Sequence, residues 1–159
     1  MSLDIPSIQE VDGSGLHFAV IASRYNEALV DSLVRHTCAT IEAAGAEPPV
    51  VARVPGAAEL PFAAATLANH TSFDAIIVIG VVIAGDTSHH EIIGDSTAAA
   101  LLDLSIAQKL PIINGILVVN NLAQAEARAG EEINRGKEFA QAALEMAQFT
   151  KKWKIQNNQ

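Results

Sequence analysis

Four short, almost unbroken apolar runs, separated by longer segments of helical spacing, constrain this chain more than any other feature. The runs are Leu16–Ala22, Val50–Val54, Ala75–Ile83 and Ile112–Val119. Strands buried on both faces of a parallel sheet read this way, whereas a half-exposed strand alternates apolar with polar. Between the runs, Asn26–Ala44 sets Leu29, Leu33, Val34, Cys38 and Ile41 on one helical face, with Asn26 to cap its start and Gly45 to stop it. Glu59–Asn69 reads as a shorter helix with Pro61 in its first turn. Ser88–Lys109 places Ile92, Ile93, Leu101 and Leu104 at helical spacing and halts before Pro111. Ala123–Ala127 reads as a short helix, and Ile133–Thr150 as a long one with Phe139, Ala143 and Met146 on a face. The order β-α-β-α-β-α-β-α predicts an α/β three-layer sandwich, with a central four-stranded parallel sheet covered by helices on both faces. At 159 residues this is one domain, spanning 16–150. The arm 1–15 carries Ile5, Ile8 and Val11 and is expected to pair with a sheet edge, its own or a neighbour's. The polar tail 151–159 is expected to fray.

Composition removes several classes of function. Hydrophobic residues at 50% and charged residues at 18% exclude a disordered chain. A net charge of −8 argues against a nucleic-acid binder, which needs a basic surface to displace phosphate counterions. The single cysteine, Cys38, allows no intrachain disulfide, which suits a reducing compartment. The longest apolar run, Ala75–Ala84, is about half the ~20 residues that span a bilayer. The acidic N-terminus lacks the cationic–apolar pattern of a leader. A soluble cytoplasmic protein with no membrane partner is expected.

Ligands of open α/β sheets bind at the carboxyl ends of the strands. Three strand-to-helix junctions carry unusual residues there. Gly85-Asp86-Thr87, followed by Ser88 and a helix, offers free backbone N–H groups and the positive end of a helix dipole, an anion cradle. His89 comes next, and imidazole moves protons near neutral pH. Ser88-His89-His90-Glu91 also spells a capping box, which serves stability alone; both readings stand. Adjacent helical histidines point about 100° apart and chelate poorly, so no metal is expected. At the second junction, Val54-Pro55-Gly56-Ala57-Ala58-Glu59, the carboxylate either complements a helix start or accepts hydrogen bonds from a polyol. At the first, Tyr25 either packs in the core or stacks on a planar heterocycle. Arg128, near a helix end, reads by itself as a surface arginine.

Assembled in order, these segments resemble the 6,7-dimethyl-8-ribityllumazine synthase family from about Leu16 to Phe149. Arg24-Tyr25-Asn26 is similar to the family's R-F/Y-N, and Val54–Pro61 to V-P-G-A-x-E-I/L-P. Gly85–His89 is similar to G-x-T-x-H, Arg128-Ala129-Gly130 to the R-A-G of E-R-A-G, and Asn134-Arg135-Gly136 to N-K/R-G. The resemblance implies a flavodoxin-like fold and condensation of 5-amino-6-(D-ribitylamino)uracil with 3,4-dihydroxy-2-butanone 4-phosphate, without a cofactor. It implies that Gly85, Asp86 and Thr87 cradle the phosphate and that Arg128 of a neighbouring subunit balances it. His89 would shuttle protons. Tyr25 would stack on the pyrimidinedione, and Asn26 with the Val81, Val82 and Ile83 backbone would read its polar edge. Gly56, Ala57, Ala58 and Glu59 would hold the ribityl chain, and Asn114 and Arg135 would complete the substrate site. It further implies homopentamers with sites between subunits, in some members closed into icosahedral shells, and riboflavin synthase as a candidate partner.

The chain departs from the family pattern at several points. Ala84 replaces a usual basic residue, Val81 a small hydroxyl residue, Asn114 a phenylalanine and His90 an aromatic ring. Glu131 and Glu132 occupy a stretch that usually holds a lysine. These departures motivate an alternative, a self-assembling shell protein of the same family with weakened catalysis. A flavodoxin-like module that binds a phosphorylated ligand without turnover is a third reading, from fold analogy alone.

Overall fold

A computed structural model describes residues 7, 9–70 and 72–156. The four strands are β1 (Phe18–Ser23), β2 (Val50–Val54), β3 (Ala75–Ile83) and β4 (Ile112–Val119). The helices are α1 (Glu27–Ala43), α2 (Leu60–His70), α3 (His89–Gln108), α4 (Leu122–Ala129) and α5 (Arg135–Gln156), with a 3-10 turn at Ala57–Glu59 leading into α2. All pairings are parallel and the sheet order is β2-β1-β3-β4. This is the flavodoxin-like order, whose switch point lies between β1 and β3.

Strand alternation divides the core into two layers. Phe18, Val20 and Ala22 of β1 join Ile77, Ile79 and Val81 of β3 against α1, α4 and α5. Ala19 and Ile21 join Ile76 and Val78 against Leu60 and Ala64 of α2 and Leu101 of α3. Each fully buried aliphatic side chain contributes about 1.5–3 kcal/mol. The long α5 buries a stripe of small residues, Ala140, Ala143 and Ala147, beside Leu144. Small side chains let it lie close to α1 and the sheet. Gly136 marks the tightest point, since a Cβ there would sit 2.6 Å from the Leu33 carbonyl oxygen and 2.8 Å from the His36 Cβ.

Several expectations need correction. β1 begins at Phe18 and ends at Ser23, because Leu16 belongs to a turn in which its N–H bonds the Gly13 carbonyl. Asn26 does not cap α1 with its side chain. It takes left-handed backbone angles (φ 55°) and its amide donates to the Val81 carbonyl at 2.8 Å. The Ser88–Glu91 capping box is not formed, as Ser88 makes no side-chain cap bond. Ile92 of α3 and Met146 of α5 point to solvent rather than the core. α4 starts one residue before Ala123, where Asn121 Oδ1 accepts from the Gln124 N–H, and runs two residues past Ala127. α5 starts at Arg135, after Asn134, whose Oδ1 accepts from the Lys137 N–H. The tail is helical through Gln156 rather than frayed from Lys151.

In the arm, the described residues 7 and 9–15 form no strand. The Gln9 carbonyl accepts from Gln141 of α5, and Val11 packs on the core. Ile5, Ile8 and residues 157–159 lie outside the described residues. Among the described residues no helix is long and apolar enough to cross a membrane.

Candidate active site

Pairing of β1 with β3 stops at Ala22 and Ile79, whereas β3 stays paired to β4 through Ile83 and Val119. The last four residues of β3 therefore have an open flank where β1 turns away. The first two junctions close around it. The Arg24 N–H bonds the carbonyls of Val54 (3.1 Å) and Pro55 (3.2 Å), tying the loop after β1 to the loop after β2. The result is a cavity of about 450 Å³ at the β1/β3 switch point.

The cavity gathers most of the residues singled out above. Tyr25 and Asn26 come from the first junction, Gly56, Ala57, Ala58 and Glu59 from the second, and Val81, Val82 and Ile83 from the open flank. His89, the first residue of α3, completes the ring. Tyr25 is 74% exposed, so the core-packing reading of its ring is wrong and the ring stands at the cavity mouth. It lies along Gly56, where a Cβ would meet Tyr25 ring carbons at 3.4 and 3.6 Å and Glu59 Oε2 at 3.1 Å. A side chain there would crowd the carboxylate and lie in ordinary contact with the ring. Glu59 Oε2 accepts from the Gly56 N–H at 2.8 Å, the carboxylate half of a capping box. The helix-start reading of Glu59 is therefore seen directly, through Oε2. Ser23 and Ile93 also line the cavity, and sequence reasoning did not single them out. Ile93 stands four residues after His89, one helical turn on. Ser23 shares strand parity with Ala19 and Ile21, so a hydroxyl at a core position was the available signal.

Beyond the cavity mouth runs the exposed loop of Gly85, Asp86, Thr87 and Ser88. Among the described residues, the N–H groups of Gly85 to His89 have no acceptor, whereas Ser88 O receives the first bonds of α3 from Glu91 and Ile92. A Cβ on Gly85 would meet nothing within 4 Å, so the loop is open to a ligand. Five unpaired donors stand at the start of a 20-residue helix, an arrangement chemically suited to an anion. His90 Nδ1 lies 3.1 Å from the Thr87 carbonyl, which steadies the loop.

Three candidates lie elsewhere. Arg128, half-buried near the end of α4, donates to the Gln124 carbonyl at 3.1 Å. Arg135 opens α5 and pairs with Glu138. Asn114, exposed on edge strand β4, accepts from the Ile116 N–H and lines a separate groove with Glu91 and Asp95. No lysine or arginine lines the cavity among the described residues. Arg128 and Arg135 flank a connection that is fastened to α1. Ser32 Oγ donates to the Ala129 carbonyl (2.8 Å), and Thr37 Oγ1 to the Gly136 carbonyl (3.0 Å). Between them, His36 Nε2 faces Glu131 at 3.5 Å. The N-R-G segment thus has a packing role, in which Asn134 starts α5 and Gly136 admits α1. No cluster of three metal-ligating side chains occurs among the described residues.

This is a doubly wound α/β domain with a polar-mouthed cavity at its switch point, the place where such sheets bind small molecules. The 6,7-dimethyl-8-ribityllumazine synthase family model matches residues 15–151. The chain is 45% identical over 132 residues to the 6,7-dimethyl-8-ribityllumazine synthase of Methylobacterium radiotolerans, covering 82% of this chain and 80% of that one. It is 42% identical over 135 residues to that of Kineococcus radiotolerans, covering 85% and 83%. It is 36% identical over 143 residues to that of Thermococcus onnurineus, covering 90% and 94%. The chain belongs to the 6,7-dimethyl-8-ribityllumazine synthase family.

Proposed function

We propose that this protein condenses 5-amino-6-(D-ribitylamino)uracil with 3,4-dihydroxy-2-butanone 4-phosphate, releasing 6,7-dimethyl-8-ribityllumazine, phosphate and water. The observation that carries this reading is the convergence of Tyr25, Glu59, the open β3 flank and His89 on one cavity beside the unpaired amides of Gly85–His89. The planar uracil stacks on Tyr25, and its polar edge pairs with backbone groups of Val82 and Ile83 while Asn26 holds the strand end. The ribityl chain lies along Gly56–Glu59. The phosphate sits on the 85–87 loop, where the helix dipole and amide donors favour an anion. The uracil amine attacks the ketone carbonyl and a first water leaves as the imine forms. Phosphate is then eliminated, the resulting enol becomes a carbonyl, and the ribitylamino nitrogen closes the ring on it with loss of a second water. His89 carries protons between these groups. Holding the two substrates in line supplies much of the acceleration, so one acid–base group suffices.

Among the described residues no lysine or arginine lines the cavity to balance the phosphate. A homo-oligomer supplies one if the neighbouring copy turns its Arg128 to this cavity. The exposed apolar side chains Ile92, Leu102 and Ile106 on α3, with Val118 and Leu122, suit burial between copies. Rings of five built this way, and shells of such rings, are the assemblies we propose, in the cytoplasm. The test is turnover by the purified protein. Product fluorescence should rise faster than the spontaneous reaction and saturate with each substrate; a rate equal to background overturns the reading.

A further inference from the structure

One polar group of the cavity has no role in the mechanism above. Ser23 ends β1 and is only 1% exposed. Its Oγ is buried and has no hydrogen-bond partner among the described residues. Buried hydroxyls are rarely left so, because each loses water without compensation. The side chain shares the strand face of Ala19 and Ile21 and points toward the 3-10 turn. A Cβ placed on Gly80 would lie 3.3 Å from both Ser23 Oγ and Leu60 Cδ1 and 3.6 Å from the Ala57 Cβ, so the hydroxyl lies beside Gly80 near Ala57 and Leu60, just beneath the cavity lining. Ser23 and Ala57 line the same cavity. The neighbouring polar groups are partly spent. Glu59 Oε2 is held by the Gly56 N–H, and the Asn26 amide donates to the Val81 carbonyl. A polyol lying along Gly56–Glu59 brings hydroxyls that both donate and accept, and only one carboxylate oxygen is free to receive them.

We propose that Ser23 is a specificity-determining residue for the polyol chain: its Oγ hydrogen-bonds one ribityl hydroxyl, directly or through a single water at the cavity floor. The inference rests on the function proposed above and adds a contact that selects for the ribityl group. A neutral hydrogen bond of this kind corresponds to about a threefold to tenfold change in affinity.

The test compares the unaltered protein with Ser23→Ala in three measurements. Steady-state kinetics give KM for each substrate. Titration with a non-reactive 5-nitro analogue of the ribitylaminouracil, and with the same nitrouracil lacking the ribityl chain, gives affinities that need no turnover. Thermal unfolding reports stability. The expected result is KM for the ribitylaminouracil raised about threefold to tenfold, with KM for the butanone phosphate unchanged. The ribityl analogue should weaken by the same factor and the chain-free analogue should not. Tm should hold or rise, because an unpaired buried hydroxyl has been removed. An unchanged affinity for the ribityl analogue overturns the inference, and so does equal weakening of both analogues. A lower Tm with unchanged KM assigns the hydroxyl to the fold instead. If the unaltered protein binds the ribityl analogue without turning over substrate, the proposed reaction falls and the titrations still decide the role of Ser23. If it neither binds nor turns over, both fall.

Discussion

The switch-point cavity and the α4–α5 connection both carry family motifs, yet they use them differently. At the cavity, backbone and side chains are left unspent: five amides at the start of α3, one oxygen of Glu59 and an exposed Tyr25 ring. At the connection, most of the polar groups are engaged within the fold, although the buried His36 Nε2, 3.5 Å from Glu131, makes no hydrogen bond among the described residues. Ser32 and Thr37 of α1 hold its carbonyls, Asn134 starts α5, and Arg128 folds back onto Gln124. Unpaired polar groups point to a ligand, and satisfied ones point to architecture. A motif is therefore not evidence of contact with substrate until its polar atoms have been accounted for.

The sharpest way to break this contrast is at His89. Its replacement by Ala should slow turnover by about 10²–10⁴-fold while leaving activity above background, because positioning survives. Stability should not change, since the side chain is exposed. A loss of folding, or full activity, contradicts the assignment. Arg128→Ala comes next. Loss of a charge-assisted contact to phosphate should raise KM for the butanone phosphate by about 10- to 100-fold without altering KM for the uracil. An equal rise in both would make Arg128 a purely structural member of the connection. Gly136→Ala probes that structural role. Its new Cβ would lie 2.6 Å from the Leu33 carbonyl oxygen, so the mutant should lose about 1–3 kcal/mol in chemical denaturation. An unchanged midpoint would mean α1 and α5 are not locked as described.

The smallest effect concerns Cys38 on α1, whose thiol is pushed above its ordinary range, first by burial and then by Glu42. A raised thiol pKa leaves little thiolate at neutral pH, so alkylation should be slow at pH 7 and accelerate as pH rises. A rapid stoichiometric reaction at pH 7 would show that the α1 face is open.

The strands were the most legible part of the chain. Three of the four strands fall where the apolar runs lie. β1 and β3 are buried on both faces as such runs imply, whereas β2 is largely exposed and β4 alternates, so their runs mark β-branched strand residues rather than two-faced burial. Helix ends were less legible because they turn on single hydrogen bonds. Asn26 and Ser88 look like caps, but the Asn26 amide goes to Val81 and Ser88 makes no cap bond. Asn121 and Asn134 do cap, and the periodicity gave no hint of either. Helical faces misled where apolar residues exceed the core's needs, as at Ile92 and Met146. The cavity residues were legible because turn glycines, a proline and polar residues at strand ends are hard to explain otherwise. Ser23 was not, since one serine closing an apolar strand passes for its end.

The proposed function also makes a claim about assembly: for Arg128 to balance the phosphate, the two regions must meet in one site split between neighbouring copies. Mixing His89→Ala and Arg128→Ala chains, unfolding them and refolding them together tests it most directly. If Arg128 serves the next copy's cavity, about a quarter of the interfaces in a random one-to-one mixture regain both groups, and activity should climb well above that of either variant. A mixture no more active than the mean of the two variants would contradict a shared site.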